Sequence, residues 1–107
     1  MRFCPWYPLA AAGESAPAAP GMLQLRLATG LLDYPRGKSA MVHYADSADV
    51  RAEALTLAEV HAGKDLVCRH LIEIEDATDL GVFHAKLRDE FVRRFGTPPM
   101  FPPEPSR

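Results

Sequence analysis

Residues 34–51 concentrate the side chains that could contact an anion, and they read YPRGKSAMVHYADSADVR. Arg36 and Lys38 precede a short apolar segment, Tyr44 lies near its end, and Arg51 follows it. Arginine can bind a phosphate through two parallel hydrogen bonds, and lysine supplies a point charge. The spacing therefore predicts a binding edge for an anionic ligand.

Gly37-Lys38-Ser39 resembles the end of a nucleotide-binding phosphate loop. That motif needs a further glycine at position 32, and this position is Leu32. The motif also needs a helix after its serine, whereas AMVHYA at residues 40–45 has the composition of a strand. The sequence therefore excludes a phosphate loop and leaves a polar turn.

The hydrophobic pattern indicates which elements hold these residues in place. Three strands are predicted, at residues 21–28, 40–45 and 66–75. Apolar steps of three and four residues predict one helix that begins at Asp46 or Ser47 and another that begins near Asp79. Gly63 and Gly96 follow these helices as C-caps. The order strand, strand, helix, strand, helix predicts an α+β fold: a small three-stranded antiparallel sheet with two main helices.

The remaining segments set the predicted domain boundaries. Residues 29–38 join the first two strands, and their length predicts a connection without a tight turn. Phe3, Trp6 and Tyr7 predict an ordered N-terminal arm that packs on the domain. The predicted organisation is an arm or linker at residues 1–16, a single domain at 17–101 and a tail at 102–107.

The bulk composition limits the function classes. The chain has 107 residues, two distant cysteines and a formal net charge of −2. A domain of this length can bury a self-sufficient core. The negative charge excludes nucleic-acid binding through a general basic field and leaves only local basic patches. No apolar run approaches the ~20 residues of a membrane span. We therefore expect no membrane partner, and the unpaired cysteines predict a reducing, cytoplasmic location.

The histidines and cysteines lack the spacing of metal ligands, so no metal site is predicted. His70 falls on the apolar side of its strand, which is typical of a packed histidine. Burial in the same strand should raise the pKa of Cys68 and leave its thiol inert. The last helix carries an excess of basic residues, which is either a solvated face or a ridge for nucleic acid or an acidic partner: Lys86, Arg88, Arg93 and Arg94.

Three segments together resemble the GIY-YIG endonuclease domain. PAAPGML at residues 17–23 is similar to the start of the family's first strand, Pro-x-x-Pro-Gly-Val-Tyr. VHYAD at residues 42–46, followed by SADVR, is similar to the Tyr-Ile-Gly strand and its turn into a helix. LRDEFVRRFGTPP at residues 87–99 is similar to the late helix that ends in Phe-Gly and prolines. The resemblance covers most of the chain and implies the same order of elements.

The resemblance also implies a nuclease site, and several of its positions differ here. The family uses two tyrosines, an arginine on the first helix and a late glutamate that holds one divalent metal. Tyr44 matches the second tyrosine, whereas the first is Leu23. Arg51 lies on the corresponding helix about one turn early, and Arg88 takes the place of the metal-binding glutamate. Glu90 is near that position in sequence but points about 200° away around the helix.

These departures predict a catalytically degenerate GIY-YIG-like domain that acts as a binding or regulatory module for DNA or another anionic ligand. Its predicted ligand-binding residues are Arg36, Lys38, Tyr44, Arg51 and Arg88. One alternative is an active endonuclease that uses Mg²⁺ with Tyr44, Arg51 and Glu90. Another is a protein-interaction domain whose N-terminal arm docks on a partner and can be deleted without unfolding the domain.

Overall fold

The computed structural model of the chain describes residues 2–75 and 79–102. Its strands are β1 (Arg2–Phe3), β2 (Tyr7–Pro8), β3 (Gly21–Leu27), β4 (Leu32–Tyr34), β5 (Gly37–Ser39), β6 (Met41–Ser47) and β7 (Leu66–Glu73). Its helices are a 3₁₀ turn (Leu9–Ala11), α1 (Ala12–Ser15), α2 (Val50–Val60) and α3 (Leu80–Phe95). In the described ranges, no helix is long and apolar enough to span a membrane. Residues 103–107 of the predicted tail lie outside the described residues.

The main sheet has the order β1-β7-β3-β6, and β2 also pairs with β7. Every pairing between the described strands is antiparallel. The predicted α+β class and antiparallel sheet are therefore confirmed. The predicted number of three strands is wrong, because the N-terminal segment adds two short strands and residues 32–39 form a separate two-stranded sheet.

Strand β3 occupies the centre of the sheet and is buried on both faces. Leu23 and Leu25 are fully buried on one face, as their alternation predicts. Gln24 points to the other face but is also only 4% exposed. Its side-chain oxygen accepts a hydrogen bond of 2.8 Å from Nε of Arg69, which provides the partner that a buried amide needs.

The N-terminal segment is part of the folded core. Tyr7 lies opposite Cys68 in the β2–β7 pairing, so β7 has partners on both sides. Leu9 and Ala12 are buried among the core residues of β3, β7 and α2. A boundary at residue 17 therefore does not separate two structural units. The arm is also not a free docking segment, because its apolar side chains already fill the core.

Residues 29–38 contain a tight hairpin, which corrects the prediction of a loose connection. Tyr34 pairs with Gly37, so Pro35 and Arg36 form a two-residue turn between β4 and β5. The Tyr34 hydroxyl donates a hydrogen bond of 2.6 Å to the carbonyl of Met41. Its ring packs edge-on against Phe91 with the centroids 5.0 Å apart. The hairpin is thus fixed to both the sheet and α3.

Helix α2 begins later than the sequence indicates. Strand β6 continues to Ser47, and the N-cap is Asp49, whose side chain accepts a hydrogen bond of 3.0 Å from the Ala52 backbone N–H. Val50 and Ala54 are buried in the core, and Leu57 and Ala58 pack against it, so the apolar steps of three and four residues do mark the inner side of this helix. The capping prediction at Asp46 or Ser47 is wrong, because both residues remain extended in β6.

Helix α3 ends at Gly96, in a position that only glycine fills without strain. Gly96 has a φ of +94°, and a Cβ there would lie 3.0 Å from Cβ of Pro35 in the hairpin turn. Gly96→Ala should lower the free energy of unfolding by about 1–2 kcal/mol, from backbone strain and this contact. Urea denaturation measures the change.

Gly63→Ala is the matched control for Gly96→Ala. Gly63 has a φ of +87°, but nothing lies within 4 Å of its added Cβ. It should lose only about 1 kcal/mol or less, from backbone strain alone. Equal losses for the two variants would mean that a Cβ at position 96 makes no unfavourable contact with Pro35 of the hairpin turn.

Candidate anion-binding cleft

The two faces of the sheet carry different chemistry. On one, called here the α2 face, Leu23 and Leu25 pack against Ala54 of α2 in the main core. On the other, called the α3 face, register places Tyr44 and Arg69 on either side of Gln24. Polar and aromatic side chains therefore meet on the α3 face.

An open cleft of about 730 Å³ lies between the α3 face and helix α3. Tyr44 and Met41 of β6 contribute to its wall on the sheet side. The other lining residues come from β5 and α3: Ser39, Leu87, Glu90, Phe91, Arg93, Arg94 and Phe95. The cleft thus brings one tyrosine together with two guanidinium groups and a carboxylate, and Phe91 and Phe95 also line it. Tyr44 and Glu90, which are widely separated in sequence, do converge here.

Tyr44 is held in its neutral form. Burial raises the pKa of its hydroxyl, and the nearby Tyr34 and the negative charge of Glu90 raise it further, while Arg69 partly offsets the rise. Tyrosine is already protonated at neutral pH, so these effects disfavour the tyrosinate further. The hydroxyl is accordingly suited to donate a hydrogen bond to a ligand and poorly suited to accept a proton as a general base.

Arg51 does not reach the cleft. It lies on α2, and the residue before it, Val50, belongs to the core on the α2 face. Its Nε donates a hydrogen bond of 2.8 Å to the carbonyl of Ala16. Arg51 and Tyr44 are therefore on opposite sides of the sheet. The predicted grouping of Arg51 with Tyr44 and Glu90 is wrong, because helical spacing does not tell which face of the sheet α2 covers.

Arg88 borders a second, smaller cleft of about 280 Å³ with Tyr44, His84 and the prolines after α3. Tyr44 thus lies between the two clefts, with Glu90 and Arg88 in different ones. This arrangement agrees with the angle of about 200° between positions 88 and 90 on a helix. Arg88 can reach a ligand near Tyr44 only from the side opposite Glu90.

The two basic residues of the hairpin have different surroundings. The backbone N–H of Arg36 donates a hydrogen bond of 3.0 Å to the carbonyl of Phe95, which fixes its main chain at the end of α3. Its side chain lies there too, because a Cβ added at Gly96 would lie 3.4 Å from Nε of Arg36. Nζ of Lys38 lies 3.5 Å from a carboxylate oxygen of Asp33, and both side chains are well exposed. Lys38 is therefore partly neutralised, whereas Arg36 adds charge near the end of the cleft.

Sequence reasoning missed Arg26 and Arg69 as site residues. Both occupy the polar positions of alternating strands, which usually mark a solvated face. Their guanidinium carbons lie 4.1 and 4.6 Å from the ring centroid of Trp6, on the α3 face. No local sequence pattern identifies this cluster, because it forms only when the N-terminal segment pairs with β7.

Cys68 and His70 are buried, packed side chains, as the sequence predicts. Burial raises the pKa of the Cys68 thiol to about 11, so the thiolate is scarce at neutral pH. His70 is 8% exposed, and its Nδ1 lies 2.9 Å from the Tyr7 hydroxyl. Within residues 2–75 and 79–102, no three His, Cys, Asp or Glu side chains are grouped so that they could hold a metal ion.

Comparisons with protein-family models, curated proteins and solved structures found no match for the chain. The resemblance to the GIY-YIG domain therefore stays a prediction, and so does the cytoplasmic location.

Proposed function

We propose that this chain is a nucleic-acid-binding domain that does not cleave its ligand. The observation that carries the proposal is the cleft in which Tyr44 meets Arg93 and Arg94. Guanidinium groups bind phosphate oxygens well, and the tyrosine hydroxyl adds a neutral donor. The partly exposed rings of Tyr44 and Phe95 can contact the flat rings of bases. Because the net charge of the chain is −2, such binding must be local.

The same cleft is poorly suited to metal-dependent cleavage. Mg²⁺ prefers six oxygen ligands, among which carboxylates are the usual protein contribution. Glu90 is the single carboxylate among the described residues that line the cleft, and two guanidinium groups accompany it. Mg²⁺ does not fit this donor set, and Arg51 is not available to stabilise a phosphate there. The degenerate, binding form of the GIY-YIG-like hypothesis is therefore favoured over the active nuclease.

A double replacement tests the proposal. Fluorescence anisotropy with a labelled 20-nucleotide strand and its duplex should show binding that weakens as salt rises. Arg93→Gln with Arg94→Gln should raise Kd at least about tenfold at low salt, and should reduce the salt slope by about 1.5 because two phosphate contacts are lost. A wild-type chain that binds neither form at low ionic strength, or a double variant that binds like wild type, would refute the proposal.

Lys64→Gln is a suitable charge control, because it removes a positive charge at a distance from the cleft. Lys64 lies beyond the end of α2, with Nζ 2.8 Å from Nδ1 of His61. We expect less than a twofold change in Kd. A plasmid incubated with the wild-type chain and Mg²⁺ should stay intact, and EDTA-sensitive nicking would overturn the non-catalytic part of the proposal.

A further inference from the structure

The N-terminal segment places the chain's single tryptophan beside two arginines on the α3 face. The guanidinium carbon of Arg26 lies 4.1 Å from the ring centroid of Trp6, and that of Arg69 lies 4.6 Å away. Arg69 is also 4.6 Å from the ring centroid of Phe3. These four residues, Phe3, Trp6, Arg26 and Arg69, are called here the arginine–tryptophan cluster. All four are partly exposed.

Among the residues that the structure describes, no carboxylate neutralises the positive charge of the cluster. Among the described residues, no Asp or Glu oxygen lies within 4 Å of Arg26 or Arg69. Burial, followed by the like charge of Arg26, lowers the pKa of Arg69. Two cations held close together in a partly desolvated position lose hydration without gaining an ion pair. An incoming anion would supply the missing partner to both of them.

The cluster is continuous with the cleft. Gln24 of β3 is the register partner of both Tyr44 and Arg69, so these three side chains form a row across three strands. Two strand spacings separate Tyr44 from Arg69, which is about 10 Å. Arg26 lies opposite Met41, which lines the cleft. A single extended ligand can therefore cross the α3 face from Arg93 and Arg94 to Trp6.

We infer that the arginine–tryptophan cluster makes this face selective for single-stranded nucleic acid, with phosphates bound by Arg26 and Arg69 and an unpaired base stacked on an aromatic ring of the cluster. The inference rests on the proposed function and names its ligand class. Bases in a duplex are paired and stacked inside the helix, so they cannot reach a ring on a sheet surface. An acidic peptide could neutralise the arginines, but its carboxylates would not stack on the partly exposed rings of Phe3 and Trp6.

Trp6 is the single tryptophan of the chain, so tryptophan fluorescence reports on this position alone. The probes are a 12-nucleotide DNA strand, the same strand without its bases, a hairpin duplex and poly-glutamate. The intact strand should quench Trp6 and bind about tenfold more tightly than the duplex. The abasic strand should bind through its phosphates with little quenching. Trp6→Leu should lower affinity for the intact strand about tenfold and leave affinity for the duplex unchanged. The tenfold loss corresponds to one stacked base.

Two further variants separate stacking from charge. Arg26→Gln with Arg69→Gln should weaken both the intact and the abasic strand. Phe101→Leu removes a ring outside the cluster, which stacks on His61 with the ring centroids 3.7 Å apart. This variant should bind the intact strand and the abasic strand as tightly as wild type. These variants also keep the test valid if Trp6→Leu folds poorly.

The possible failures are distinguishable. If wild type binds no nucleic acid, the proposed function itself fails. If it binds strand and duplex equally without quenching, nucleic-acid binding stands and the inference is overturned. If poly-glutamate competes as well as the intact strand, the cluster is a site for acidic peptides and the assignment to single strands is wrong.

Discussion

Leu9→Ala is expected to lower the free energy of unfolding by about 2–4 kcal/mol, the usual range for a large-to-small change in a core. Leu9 is 4% exposed and belongs to the cluster that includes Leu23 and Ala54. The truncated side chain would leave a cavity between the N-terminal segment and α2. Urea denaturation measures the loss, which should appear as a lower midpoint with an unchanged m-value.

Leu31→Ala is the matched control, since it makes the same chemical change at a site that is 61% exposed. It should alter stability by no more than about 0.5 kcal/mol. If Leu9→Ala were as mild as Leu31→Ala, the N-terminal segment would contribute little to the fold, as the protein-interaction alternative requires. Deletion of residues 1–12 is expected to prevent cooperative folding, because it removes Leu9, Ala12 and both outer partners of β7.

The strands and helices that could be predicted are those with a local pattern. The alternation of Leu23 and Leu25 identifies the core face of β3, and the step from Val50 to Ala54 identifies the inner side of α2. The burial of Gln24 could not be predicted, because it depends on Arg69, which is 45 positions away in sequence. Period-two alternation distinguishes the two faces of a strand but does not tell whether a distant segment covers the second one.

The same limit applies to the candidate site. Tyr44 and Glu90 could be paired through the resemblance to a nuclease, and they do share the cleft. Trp6 could not be connected with Arg26, because residues 2–8 give no strong strand signal of their own. They form strands only because β7 offers an unpaired edge. A short segment can therefore adopt its structure from a partner, in which case tertiary context overrides local propensity.

Arg51→Ala should reduce stability and leave binding intact, contrary to the role that the sequence predicts for Arg51. Its Nε donates to the carbonyl of Ala16, a residue that is 1% exposed. Removing a charged donor and leaving that carbonyl without its partner should cost about 1.5–3 kcal/mol. Urea denaturation measures this loss, and anisotropy on the folded variant should give the wild-type Kd for the 20-nucleotide strand.

Arg88→Ala is the matched stability control for Arg51→Ala. Arg88 is an exposed arginine on α3, so its removal should change stability by no more than about 0.5 kcal/mol. Arg51→Ala tests the two roles separately, because a structural arginine affects unfolding whereas a ligand-contacting arginine affects Kd. A stable Arg51→Ala variant with tenfold weaker binding would place Arg51 beside the ligand and restore the grouping with Tyr44. The expected result is the reverse, since the central sheet separates Arg51 from the cleft.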